Sequence, residues 1–100
     1  MVRIPKEGYS KDVARRRILQ WRRMGLDVSA AEPALFQDSD DIGFEIYKSV
    51  EDRVRRAIEL DNRLDILEAN GWKSEVTKMR FRVRQLTGLD EVEKRIDELI

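Results

Sequence analysis

Asn70-Gly71-Trp72-Lys73-Ser74-Glu75-Val76-Thr77-Lys78-Met79-Arg80-Phe81-Arg82-Val83-Arg84-Gln85-Leu86 is the stretch whose reading decides the fold. Within it Trp72, Val76, Met79, Val83 and Leu86 recur at alternating spacings of four and three, a heptad seam that opens directly after a helix stop. An apolar stripe this regular is suited to lie along another helix. The partner stripe stands just upstream, where Tyr47, Val50, Val54, Ala57, Leu60, Leu64 and Leu67 keep the same three-and-four rhythm. Asn70-Gly71 joins the two runs, so the pattern predicts a helical hairpin in which the seam packs antiparallel against Val54, Ala57, Leu60, Leu64 and Leu67.

Working outward, Asp38-Ser39-Asp40-Asp41 supplies capping residues and negative charge at a helix start. A helix from Asp41 to Ala69 would be about 44 Å long. Glu51 with Arg55, Asp52 with Arg56 and Glu59 with Arg63 stand at i,i+4, the spacing of stabilising surface pairs. The stretch through Leu86 covers only about 24 Å of that length. The remainder is left for the first two helices or for a partner chain. Phe81 lies about 200° around its helix from Met79 and Val83, exposed unless the last helix or another subunit covers it.

Upstream, a helix is expected to start near Ser10 or Lys11, carry Val13, Ala14, Ile18, Leu19 and Trp21, and stop at Gly25. Ser29-Ala30-Ala31-Glu32 spells a capping box for a short second helix, which Pro33 limits to a turn or two ending near Gln37. Residues 1–10 lack helical periodicity and read as an irregular leader. Downstream, Gly88 stops the hairpin's second arm, and Asp90-Glu91-Val92-Glu93 spells another capping box for a last helix carrying Leu89, Val92, Ile96 and Leu99. The expected fold class is all-α: an antiparallel helical bundle with a long central helix and a helical hairpin. It is read as one domain over 1–100, with short helices in 11–37 and the long helix, hairpin and last helix in 40–100.

Composition supports that reading and narrows the chemistry. Charged side chains make up 40% of the 100 residues, while Gly and Pro are few, as long helices with few turns require. With no Cys and no His, disulfides, thiol nucleophiles, thiolate or imidazole metal sites and the usual near-neutral acid/base group are excluded. No Gly-rich phosphate loop or nucleophile elbow is present, and the many acids stand beside bases on helix surfaces. Asp38 to Gly43 opens like a calcium loop, but Ile42 stands at its fifth position and Ser49 at its twelfth, so capping explains it better. The expectation is a protein that is not an enzyme and has no cofactor or metal. No apolar run reaches signal-peptide or membrane-spanning length, which makes a cytoplasmic location, without a membrane partner, the default.

Charge is unevenly spread. Residues 1–26 carry eight bases against two acids, residues 27–52 one base against eight acids, and the remainder is nearly balanced. The first two blocks can neutralise each other, within the domain or between copies of it. Arg15, Arg16, Arg17, Arg22 and Arg23 with Trp21 also form an alternative nucleic-acid patch, because guanidinium groups engage phosphates and an indole offers a stacking face. A second basic cluster, Lys78 to Arg84, is expected to meet the acids of the preceding or following helix.

Leu19-Gln20-Trp21-Arg22-Arg23-Met24-Gly25-Leu26-Asp27-Val28-Ser29, with Glu32-Pro33-Ala34-Leu35-Phe36, Arg63-Leu64-Asp65-Ile66-Leu67, Gly71-Trp72 and Glu91-Val92-Glu93, resembles a charged, coiled-coil-like helical module of archaeal multidomain proteins. The chain departs from that pattern at Met24, Leu26 and Ala31, where an acid, an aromatic and a leucine would stand. The resemblance implies a spacer or oligomerisation unit accompanying signalling or ATPase-type domains, and it carries over no catalytic residue. The expected function is structural: self-association, as a homodimer, or scaffolding of another protein. The expected interaction residues are Phe81, Trp72, Leu89, Ile96 and Leu99.

Overall fold

The computed structural model describes residues 3–100, and all regular structure in it is helical. Four α-helices follow in chain order, α1 (Lys11–Arg23), α2 (Asp40–Ala69), α3 (Lys73–Arg84) and α4 (Leu89–Leu99), with 3-10 segments at Lys6–Gly8 and Ser29–Phe36. They form two compact units, one up to Val54 and one from Arg55 to Ile100, and α2 contributes to both.

In the first unit Ser10 caps α1, its hydroxyl accepting the Val13 N–H at 3.2 Å. The helix ends at Gly25, where the backbone turns left-handed at φ +85°. The Leu26 N–H then reaches back to the Trp21 carbonyl and the Gly25 N–H to that of Arg22, the paired bonds of a glycine-terminated helix. Ser29 is not the cap of a capping box. The cap position falls on Val28, which makes no side-chain bond, and the Asp27 carboxylate before it accepts the Ser29 hydroxyl at 2.8 Å and the Ser29 N–H at 3.2 Å. These donors, the hydroxyl first, hold the Asp27 carboxyl below its ordinary value. Glu32 instead turns outward to Arg22. With Pro33 lacking an N–H, the segment stays 3-10 through Phe36.

The core of this unit is aromatic. Trp21 stacks on Tyr47 with ring centroids 5.6 Å apart and planes 19° from parallel. Tyr9 meets Phe44 edge-on, also at 5.6 Å. Ile4 and Tyr9 are buried, so the leader packs onto the fold from Ile4 onward. Phe44, Tyr47 and Val50, in the amino-terminal part of α2, are buried in the same core. The length of α2 that the hairpin leaves over is therefore taken up within the chain, and it does not call for a partner.

The second unit is an up-down-up three-helix bundle. Asn70-Gly71 makes the predicted turn, with Gly71 at φ +98°, its N–H on the Glu68 carbonyl and the Trp72 N–H on that of Leu67. Alongside α2, Arg80 of α3 reaches Asp61 at 3.1 Å and also grips Asp65 and Glu68. These carboxylates stand on successive turns of α2, so the contact fixes α3 beside it. Arg56 pairs with Asp90 and Glu93, each at 2.6 Å, and Arg63 pairs with Asp97, which sets α4 parallel to α2. Ala57, Leu60, Leu64 and Leu67 are buried, as are Val76, Met79, Val83, Leu86, Leu89, Val92 and Ile96.

Three local expectations change. The bases of α2 do not pair at i,i+4: Arg56 and Arg63 go to α4, Asp52 binds Arg3 at 2.8 Å, and Glu51 is buried. Helix α3 ends at Arg84, and Leu86, though buried, stands in a left-handed turn at φ +57°. At α4 the cap is Gly88, with no side-chain bond, which leaves Asp90 and Glu91 in the first turn facing the helix dipole.

Candidate interaction surfaces

Trp72 does not join the seam. It is the residue before α3, with ψ +44°, and its side chain is 41% exposed. The Gly71 turn that lets the chain reverse also takes Trp72 off the helical path, so heptad spacing misplaces it. Phe81 stands as its angle requires, opposite the seam and 64% exposed. Helix α4 does not cover it. That helix packs on an adjoining face of α3, where Glu75, Lys78, Met79 and Arg82 share a crevice with Glu91 and Val92. One turn before and after Phe81 along α3, Thr77, Lys78, Arg84 and Gln85 are themselves exposed. Leu89 and Ile96 are buried inside the second unit, and Leu99 is half-buried, so these three belong to its core and margin rather than to an open surface.

The alternative patch on α1 is also divided by the fold. Trp21 is buried under Tyr47 and offers no free face to a base. Arg15 pairs with Asp12 at 3.1 Å, and Arg22 with Glu32. Arg17 is partly buried, and its charge acts on Tyr47. Arg16 and Arg23 remain exposed with no ion pair among the described residues. In the second basic cluster Arg80 meets three acids of the preceding helix, as its charge implied.

Two features were not visible in the sequence. The first is a buried carboxylate. Glu51 is fully enclosed, with Oε2 accepting the Tyr47 hydroxyl at 2.7 Å and the Ile4 N–H at 3.4 Å, and Arg3 Nε lies 3.8 Å from Oε1. It ties the leader to α2. Burial, and then the bond to Glu51, push the Tyr47 phenol well above its ordinary value. The Tyr9 hydroxyl is buried with no hydrogen-bond partner among the described residues, and burial raises that phenol too.

The second feature is a groove of about 350 Å³ between α1 and the 3-10 segment, floored by Ile18 and Leu35 and walled by Leu19 and Phe36. Phe36 is 81% exposed and Leu19 46%. On α1, Arg15, Arg16, Arg22 and Arg23 stand four and three residues before and after Leu19, so a guanidinium flanks this leucine on every side of the helix surface.

Compared with models of protein families, with curated proteins and with solved structures, the chain matches none of them. No helix among the described residues is long and apolar enough to cross a membrane.

Proposed function

We propose that the chain is a non-enzymatic protein-interaction module that works by self-association, as an oligomerisation or scaffold unit. The observation that carries this reading is Phe81, a large aromatic ring held in water on the face of α3 that neither α2 nor α4 covers. Burying a phenylalanine side chain yields about 2 kcal/mol, and exposed aromatics concentrate where proteins meet. The hairpin supports it by presenting that face on a rigid element. Its seam is buried, and Arg80 fastens α3 to α2 through three carboxylates. The resemblance to a charged helical spacer unit agrees with such a role.

Sedimentation of the wild type and a Phe81→Glu variant tests the reading. The wild type should sediment as more than one copy of its 11.8 kDa chain, and the variant should shift toward the monomer. A wild type that stays monomeric at every concentration overturns it.

A further inference from the structure

The groove on the first unit joins two properties that an exposed helix surface seldom combines. Its lining is apolar, from Ile18, Leu19, Leu35 and Phe36, and its α1 rim is basic, from Arg15 and Arg22 with Arg16 and Arg23 beyond. The two rim arginines that have ion partners have carboxylates: Asp12 for Arg15 and Glu32 for Arg22. The complement of such a groove is an apolar side chain flanked by acids. The same unit carries one. At the start of α2, Ile42 is 54% exposed, with Asp38, Asp40 and Asp41 before it and Glu45 one turn after. Lys6 lies against Asp41 at 3.0 Å, and Asp38, Asp40 and Glu45 form no ion pair among the described residues.

We infer that the groove between α1 and the Ser29–Phe36 segment receives the Ile42 edge of a second copy of this chain, with Arg16 and Arg23 facing Asp38 and Glu45. A two-fold axis makes the contact twice, each copy giving one groove and one edge. The basic block of residues 1–26 and the acidic block of 27–52 already meet within the chain through Arg3 with Asp52, Lys6 with Asp41 and Arg22 with Glu32, and the contact between copies joins members left over from both. A phosphate backbone is the poorer occupant, because it has nothing to set against the apolar lining and the only α1 aromatic is buried. The inference rests on the self-association proposed above and assigns it a second contact.

Reversing charge on each side separately gives the test. A chain carrying Arg16→Glu and Arg23→Glu has an acidic groove and an acidic edge. One carrying Asp38→Lys and Glu45→Lys has a basic groove and an edge that is basic at the two positions facing it. All four positions are exposed, and circular dichroism checks that both variants keep the helical content of the wild type. Each alone should associate at least tenfold more weakly than the wild type. An equimolar mixture should restore a heterodimer, since both of its contacts again join opposite charges, and rising salt should weaken that heterodimer. If the wild type associates but reversal changes nothing, or if the mixture stays monomeric, the groove assignment falls while self-association stands. If the wild type is monomeric and its groove instead binds an acidic amphipathic peptide or a generic DNA duplex, both readings fall.

Discussion

At the scale of single residues, the first unit is held by groups whose roles lie in three dimensions. Glu51 has Arg55 one turn ahead, and sequence spacing reads it as half of a surface ion pair. The fold buries it between Tyr47 and the backbone of Ile4 because the leader closes over α2, a contact spanning 47 residues that no local pattern encodes. Gly43 was equally silent. It lies inside α2, where alanine would ordinarily add up to about 1 kcal/mol. Here a Cβ would stand 2.9 Å from the Tyr9 hydroxyl and 3.2 Å from the Ala34 carbonyl. Gly43→Ala should therefore destabilise by about 1–2 kcal/mol, the range of core overpacking, read as a lowered midpoint in urea. A raised midpoint would contradict the packing of Tyr9 against α2.

The tyrosines give this unit a pH dependence of known sign. Tyr47 and Tyr9 have phenols raised above the ordinary 10.0 in the folded protein. Unfolded phenols ionise near that ordinary value while the folded ones keep their protons. Their contribution is thus fully present below pH 10 and declines as pH rises beyond it. Thermal melts from pH 8 to 11 should show the decline. Tyr47→Phe should flatten part of it, leaving the share due to Tyr9, and equal slopes in the two proteins would contradict the assignment.

At the scale of elements, the hairpin was the most legible part of the chain. The three-and-four spacing of Val76, Met79 and Val83 and the Asn70-Gly71 stop are local signals, and the corresponding side chains are buried, as are Ala57, Leu60, Leu64 and Leu67 of α2. Element ends were less legible. Leu86 adopts a left-handed conformation that sequence reading reserves for glycine, and Trp72 is displaced by the turn before it. The Ser29 and Asp90 capping boxes also failed, since the cap positions fall on Val28 and Gly88, neither of which has a side chain that can cap. Charge partners on α2 followed neighbouring helices rather than i,i+4 spacing, because α4 brings Asp90, Glu93 and Asp97 within reach. Met79→Asp would bury an unpaired carboxylate in the seam and should cost about 3–5 kcal/mol, a large part of a small domain's stability. An unchanged melting temperature would refute the pairing of α3 with α2.

At the scale of the whole molecule, each unit keeps an apolar side chain in water beside basic neighbours: Phe81 in the second, and Phe36 with Leu19 in the first. Phe81 was legible as an off-seam position, because helix angle alone sets it opposite Met79. The groove was not, because it needs the 3-10 segment laid against α1, and Pro33 gives no sign of where that segment packs. The uneven charge blocks were plain in the sequence, but only the fold shows which of their members remain unpaired. Association is thus the property on which the reading of both units depends. Sedimentation equilibrium of the wild-type chain over a hundredfold range of concentration tests it most directly. The expected result is an average mass that rises above 11.8 kDa toward that of a dimer, and a constant mass of one chain throughout would contradict it.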